Sequence, residues 1–105
     1  MIKHLPMTED VEITDNEFLR QFEFQKDGFM ARIEYAQQER KIFLTKYEMP
    51  EELEEKGYRD IFIKAVFEEV KNRGISLVPT SPEIAGFMRK NRRKYKELLP
   101  VGINI

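Results

Sequence analysis

Apolar and polar residues alternate with a period of two through the first half of the chain and recur every three or four residues through the second. Phe22 and Phe24 flank Glu23, and Phe29, Ala31, Ile33 and Tyr35 alternate with Met30, Arg32 and Glu34. Alternation of this kind marks strands with one face in a core. The Asp27-Gly28 pair between the two runs predicts a hairpin, because both residues tolerate the positive φ of a tight two-residue turn. Residues 37–40 read as a polar turn. Residues 41–47 predict a third strand, with Ile42 and Leu44 on one face and Phe43, Thr45 and Tyr47 on the other. Both faces are therefore expected to be at least partly covered by helices.

From about Tyr58 the period changes. Phe62, Ile63, Val66, Phe67 and Val70 form one stripe of a helix, with Lys64, Glu68 and Lys71 on the other side. Asn72-Arg73-Gly74 predicts its end, Gly74 being suited to the left-handed position after a helix. Residues 75–78 form a short apolar run that reads as a buried strand. Ser81 or Thr80 can cap a second helix, with Pro82 in its first turn and Glu83 supporting the cap. That helix carries Ile84, Phe87 and Met88 and is expected to continue over residues 89–99, stopping before Pro100. Strand, helix, strand is a βαβ unit, for which a right-handed crossover is expected. The fold class is α+β: a mainly antiparallel sheet, one βαβ crossover and a C-terminal helix.

Composition narrows the function. A length of 105 residues fits one domain spanning 1–105, with the polar residues 1–10 expected to be flexible. Charged residues make up 35% and hydrophobic ones 41%, a balance too apolar for a disordered chain. A net charge of −1 gives no general attraction to nucleic acid or to an anionic membrane. The absence of cysteine removes disulfides, zinc thiolates and thiol nucleophiles. The start lacks the apolar stretch of a signal peptide, and no run approaches the roughly 20 apolar residues of a membrane span, so a cytoplasmic protein is expected.

The candidate chemistry lies in residues 44–70, LTKYEMPEELEEKGYRDIFIKAVFEEV. A strand feeding a helix through a glycine turn builds an anion site, since the first helical N–H groups point at whatever sits there. The same turn carries Glu51, Glu52, Glu54 and Glu55, which oppose an anion and instead suit the positive end of the helix that follows. Lys46 and Tyr47 close the third strand. Tyr47 can serve as an acid or simply pack, and Lys46 reads as a base or as a strand-end charge. Ser81 as a nucleophile would need a base, and the one histidine, His4, lies in the N-terminal segment; a helix cap is the simpler role for Ser81. Nothing pairs with His4 at ligand spacing, so no metal is expected. Arg89-Lys90-Asn91-Arg92-Arg93-Lys94-Tyr95-Lys96 reads as a solvated helix face or as a phosphate patch.

The order of elements and several fixed residues resemble the small, single-domain branch of the GCN5-related N-acetyltransferases, over roughly residues 22–99. Phe22-Glu23, Gly28, Ala31 and Tyr35 match its opening. Lys46-Tyr47-Glu48-Met49-Pro50 stands where that branch has a strand ending in His-Thr-x-Val-Pro. Residues 54–59 stand at its glycine-rich loop, and Leu77-Val78-Pro79-Thr80-Ser81-Pro82 at a segment whose small nucleophilic residue is cysteine. Tyr95 and Leu98 match its closing pattern. The resemblance implies acetyl-CoA as cofactor, held in a gap between two splayed parallel strands, and transfer of acetyl to a primary amine. It also implies that Glu48 and Met49, through their backbone, and Gly57, Tyr58 and Arg59 border the cofactor, and that Tyr47, Ser81 and Tyr95 are the catalytic candidates. The chain departs from the pattern where that chemistry lies. Of the loop's small positions only Gly57 remains, with Glu55 and Arg59 at the others. Two like charges about 4 Å apart repel by roughly 1 kcal/mol in water and roughly 4 kcal/mol near a protein surface. Weak or lost acetyl transfer is therefore expected. The alternative is a non-catalytic interaction module that uses the acidic loop and the basic C-terminal helix as contact surfaces toward a protein partner.

Overall fold

A computed structural model describes residues 12–103; residues 1–10, with the expected flexibility there and His4, fall outside the described part. Five strands form one sheet in the order β1-β2-β3-β4-β5: β1 (Ile13–Asn16), β2 (Gln21–Lys26), β3 (Phe29–Gln38), β4 (Lys41–Glu48) and β5 (Ser76–Pro79). The first four pair antiparallel and β4 pairs parallel with β5, so the expected α+β architecture is the observed one. Strand β1 was not legible in the sequence: ITDN holds a single large apolar residue, and only the pairing of Ile13 with Phe24 reveals it. The β2–β3 hairpin turns at Asp27 (φ 55°) and Gly28 (φ 82°), as the dipeptide predicts.

Strand β4 does not alternate as expected. Glu34 pairs with Lys46 and Tyr35 with Leu44, so Thr45 is an extra residue, a bulge. The Thr45 hydroxyl donates to the Glu34 carbonyl at 3.2 Å. One extra residue returns the pleat to its starting face, which puts Tyr47 beside Ile42 and Leu44 rather than opposite them. All three are buried, against Phe22, Phe24, Ala31 and Ile33.

Four helices cover that face: α1 (Glu51–Glu55), α2 (Tyr58–Arg73), α3 (Pro82–Lys90) and α4 (Arg92–Tyr95), the last followed by a 3-10 turn over Lys96–Leu98. Their buried residues, from Leu53 to Tyr95, all enter one core with the inward strand residues. The far face is only partly covered, and among the described residues no helix packs there. Glu23, Arg32, Glu34, Phe43, Thr45 and Val78 lie on the far face, and none is buried. Arg32 there bridges Glu34 (3.1 Å) and Glu48 (2.8 Å), and Lys46 joins Glu48 at 3.1 Å.

Three local expectations change. The acidic stretch is not a loop but the short helix α1, whose own first turn holds Glu51, Glu52 and Glu54; the first turn of α2 holds only Asp60. These glutamates thus complement the dipole of α1, not that of α2. Thr80 does not cap α3: its hydroxyl and its N–H both donate to the Leu44 carbonyl, extending the parallel ladder by one residue. Ser81 occupies the cap position, but its hydroxyl donates to Glu83 Oε1 at 2.8 Å instead of accepting from the first turn. Finally, the last helix is broken. The Asn91 side chain donates to the Phe87 carbonyl at 3.0 Å and takes its backbone out of the helix (φ −115°, ψ 31°), a local competition that asparagine makes readily. Helix α2 behaves as expected, ending at Gly74 with φ 70°.

Candidate functional site

The parallel pairing of β4 and β5 stops where β4 is only half run. The last partners are Leu44 and Pro79, after which Thr80 donates to Leu44. Residues 45–48 continue with β3 alone, and the chain of β5 turns away into α3. A cavity of about 500 Å³ lies along the end of β4, lined by Met30, Arg32, Tyr47, Glu48, Met49, Pro50, Glu54, Arg59 and Glu83. The bulge at Thr45 is what aims Tyr47 into it.

At the wall nearest α2 stands a compact charged group. The Glu54 carboxylate accepts the Tyr47 hydroxyl at 3.0 Å. It also accepts Arg59 Nε at 3.2 Å on both oxygens and Arg59 Nη2 at 3.0 Å. The guanidinium lies 5.4 Å from the centre of the Tyr47 ring, close enough for cation–π attraction. Burial first, and the bond to Glu54 second, push the Tyr47 phenol far above its ordinary value. Tyr47 therefore keeps its proton at neutral pH, and that proton is held by Glu54. Lys46 is exposed and paired with Glu48, which is the strand-end charge of the two roles considered for it.

On the opposite wall, Ser81 is buried and touches the cavity only through Glu83. The Ser81 hydroxyl, then the glutamate's own backbone N–H, hold the Glu83 carboxyl below the usual range, with Arg59 adding to it. A carboxylate so stabilised is a poor base, and no other base reaches the Ser81 hydroxyl among its hydrogen-bond partners.

Gly57 begins α2 with φ 85°. A Cβ there would meet nothing within 4 Å, so the glycine is required by backbone conformation and leaves open space above the turn. Its N–H donates to the Glu54 carbonyl (3.0 Å) and that of Lys56 to Leu53 (3.2 Å), closing α1 on itself. No side chain caps the first turn of α2, so its leading N–H groups face outward. The Lys56 ammonium points away, to Asp27 at the hairpin tip (2.8 Å), where Lys26 and Phe24 also flank the Tyr58 ring.

Of the residues singled out in the sequence, Tyr47, Glu48, Met49 and Arg59 converge on this cavity. Gly57 and Tyr58 adjoin it without lining it. Tyr95, a catalytic candidate by resemblance, is elsewhere: it lies edge-on to Phe67 at 5.2 Å, with its hydroxyl donating to Glu68 at 2.6 Å. Met30, Arg32, Glu54 and Glu83 were missed as wall residues. Glu54 and Arg59 are five apart across the break between α1 and α2, a spacing that no helical period brings together, so no sequence signal marked the pair.

The cluster also weakens the reading of two free charged surfaces. Lys90 pairs with Asp60 at 2.9 Å and Lys94 approaches Glu68 at 3.7 Å, both acids being on α2. No helix among the described residues is long and apolar enough to cross a membrane. No curated protein matches the sequence. A family model described as GCN5-related N-acetyl-transferase matches residues 21–98, which include the whole of β2–β5, the splay between β4 and β5 and the first turn of α2. The chain therefore belongs to the GCN5-related N-acetyltransferase family.

Proposed function

We propose that this domain is an acetyl-CoA-dependent N-acetyltransferase that moves acetyl to a primary amine weakly, because Glu54 competes with the cofactor for Arg59. The residues present fit the cofactor in part. The uncapped first turn of α2, under open space at Gly57, offers N–H donors to a diphosphate. The end of β4 at Glu48 and Met49 lacks a β5 partner and offers backbone groups to an extended chain. Arg59 fits less well, since its guanidinium already holds a carboxylate through three short contacts.

Bound there, acetyl-CoA would supply an activated thioester acyl group. What remains for the protein is chiefly orientation, the largest source of rate when the acyl group is already activated. Tyr47 keeps its proton and donates it in a hydrogen bond to Glu54, so it serves as a neutral wall that holds Glu54 in place rather than as a proton source. Met30 and Met49 give the cavity its apolar wall, and Glu48 presents a carboxylate to an approaching ammonium.

The observation that carries this reading is the Glu54–Arg59–Tyr47 cluster at the mouth of the splay. Isothermal titration with acetyl-CoA tests it. Weak binding by the native chain is expected, and Glu54→Gln, which keeps the shape and removes the charge, should tighten it about tenfold, or about 1.4 kcal/mol. No heat from either protein at millimolar ligand would remove the reading and leave the interaction module.

A further inference from the structure

The cavity at the end of β4 is lined by three carboxylates, of Glu48, Glu54 and Glu83, and by two guanidiniums, of Arg32 and Arg59. Four of these five charges are paired within the protein. Glu48 is bridged by Arg32 at 2.8 Å and by Lys46 at 3.1 Å. Glu54 holds Arg59 Nη2 at 3.0 Å. Glu83 makes no ion pair among the described residues. Its side-chain partner there is a neutral hydroxyl, that of Ser81, which donates to Oε1 at 2.8 Å and belongs to a buried residue. The hydroxyl fixes the carboxylate without neutralising it. The same bond holds the carboxyl below the usual range, so the group is charged at neutral pH. Arg59 adds to this only through space, its guanidinium being taken up by Glu54.

A carboxylate set in a cavity without a counter-charge favours a cation from outside. The three carboxylates do not converge: among the described residues no group of three acids or histidines is close enough to hold a metal ion. Between the charges the lining is apolar, from Met30, Met49 and Pro50. An ammonium on a chain of methylenes matches both features, with its head on Glu83 and its stem along the methionines. Glu48, already shared between two cations, is a second and weaker seat at the open end of β4.

We propose that this cavity seats one ammonium of a small aliphatic diamine or polyamine on Glu83 and leaves the other amine at the open end of β4. That this other amine is the acetyl acceptor rests on the acetyl-transfer reading above; the seat itself requires no cofactor. A monoamine satisfies one end only, so the second charge sets the selectivity. A lysine side chain offers the same alkylammonium chemistry, and the test separates the two sources.

The full chain, without cofactor, is titrated at low salt with putrescine, spermidine, butylamine and Nα-acetyl-lysine amide, alongside Glu83→Gln and a control at an exposed acid outside the cavity, Glu52→Gln. Putrescine should bind about tenfold more tightly than butylamine or the lysine amide, and spermidine at least as tightly as putrescine. Glu83→Gln keeps an oxygen for the Ser81 hydroxyl and removes the charge; it should weaken putrescine about tenfold, the loss expected for one hydrogen bond to a charged group. Glu52→Gln should leave putrescine unchanged. Equal binding of putrescine and butylamine, or equal losses in the two variants, would overturn the proposal. If the lysine amide binds as tightly as putrescine and weakens in Glu83→Gln, the seat takes a protein lysine and the diamine is overturned. Acetyl-CoA is titrated in parallel. Putrescine bound through Glu83 with no heat from acetyl-CoA would end the transfer reading and keep the seat. Heat from acetyl-CoA with no binding of putrescine would do the reverse.

Discussion

The two halves of strand β4 have the same neighbours in sequence and opposite fates in structure. Residues 41–44 are paired on both edges, with β3 and β5, and Ile42 and Leu44 are wholly buried. Residues 45–48 are paired with β3 alone and border the cavity with Tyr47 and Glu48. The change takes place at one residue, Thr45, and at one departure, that of β5 after Pro79. A strand held on both edges has its backbone bonds satisfied and contributes stability. A strand released on one edge has donors and acceptors left over, which a ligand can use.

Substitution should separate the halves most sharply at Leu44. Leu44→Ala removes a fully buried side chain and should cost about 2–5 kcal/mol, while Lys46→Ala, on the exposed half, should stay within about 0.5 kcal/mol. Urea denaturation of both variants measures the gap, and equal losses would mean that the second half is part of the core after all. Tyr47→Phe comes next. It keeps the ring and removes the hydroxyl bonded to Glu54, for an expected loss of about 1–2 kcal/mol by the same measurement. A neutral result would show that Arg59 alone satisfies Glu54.

Gly57→Ala should cost about 1 kcal/mol, since alanine is strained at φ 85° even with open space around it. A loss several times larger would point to a close approach that the backbone does not show. The shallowest effect is expected in alkali. Burial, then the bond to Asp15, push the Tyr35 phenol up from 10.0 to about 12. The folded state thus keeps a proton that the unfolded state releases near pH 10. The associated stability is complete below pH 10 and is lost as the pH rises toward about 12. Melting temperatures of the native chain should fall across that window, and Tyr35→Phe should reduce the slope.

Much of the fold was legible because its signals are local. Asp27-Gly28 specifies its hairpin, Phe62 to Val70 specify one face of α2, and Gly74 ends that helix. The bulge was not legible: Thr45 looks like any strand residue, and only the pairing of Glu34 with Lys46 exposes the extra position. Expecting strict alternation therefore sent Tyr47 to the wrong face. The acidic stretch was read as a loop because five residues are too few to show a helical period. The site was legible as a region, through Gly57 and the strand before it, and not as a cluster. Arg32 and Glu83 reach it from distant segments, and the contact of Glu54 with Arg59 crosses a helix break. The family pattern located the tyrosine at 95, but its ring serves the packing of α2, α3 and α4.

Among the described residues the sheet has helices on one side only. Positions such as Glu23, Thr45 and Val78 point away from the core and are half-buried or exposed, so their identity matters little to the interior. Along β3 the tolerance of the fold for replacement should alternate like the pleat itself, with Ala31 and Ile33 fixed by the core and Met30 and Arg32 constrained only by the cavity they line. For an engineer, that bare side is a wall on which a tag, a dye or a second protein surface can be mounted without touching the interior.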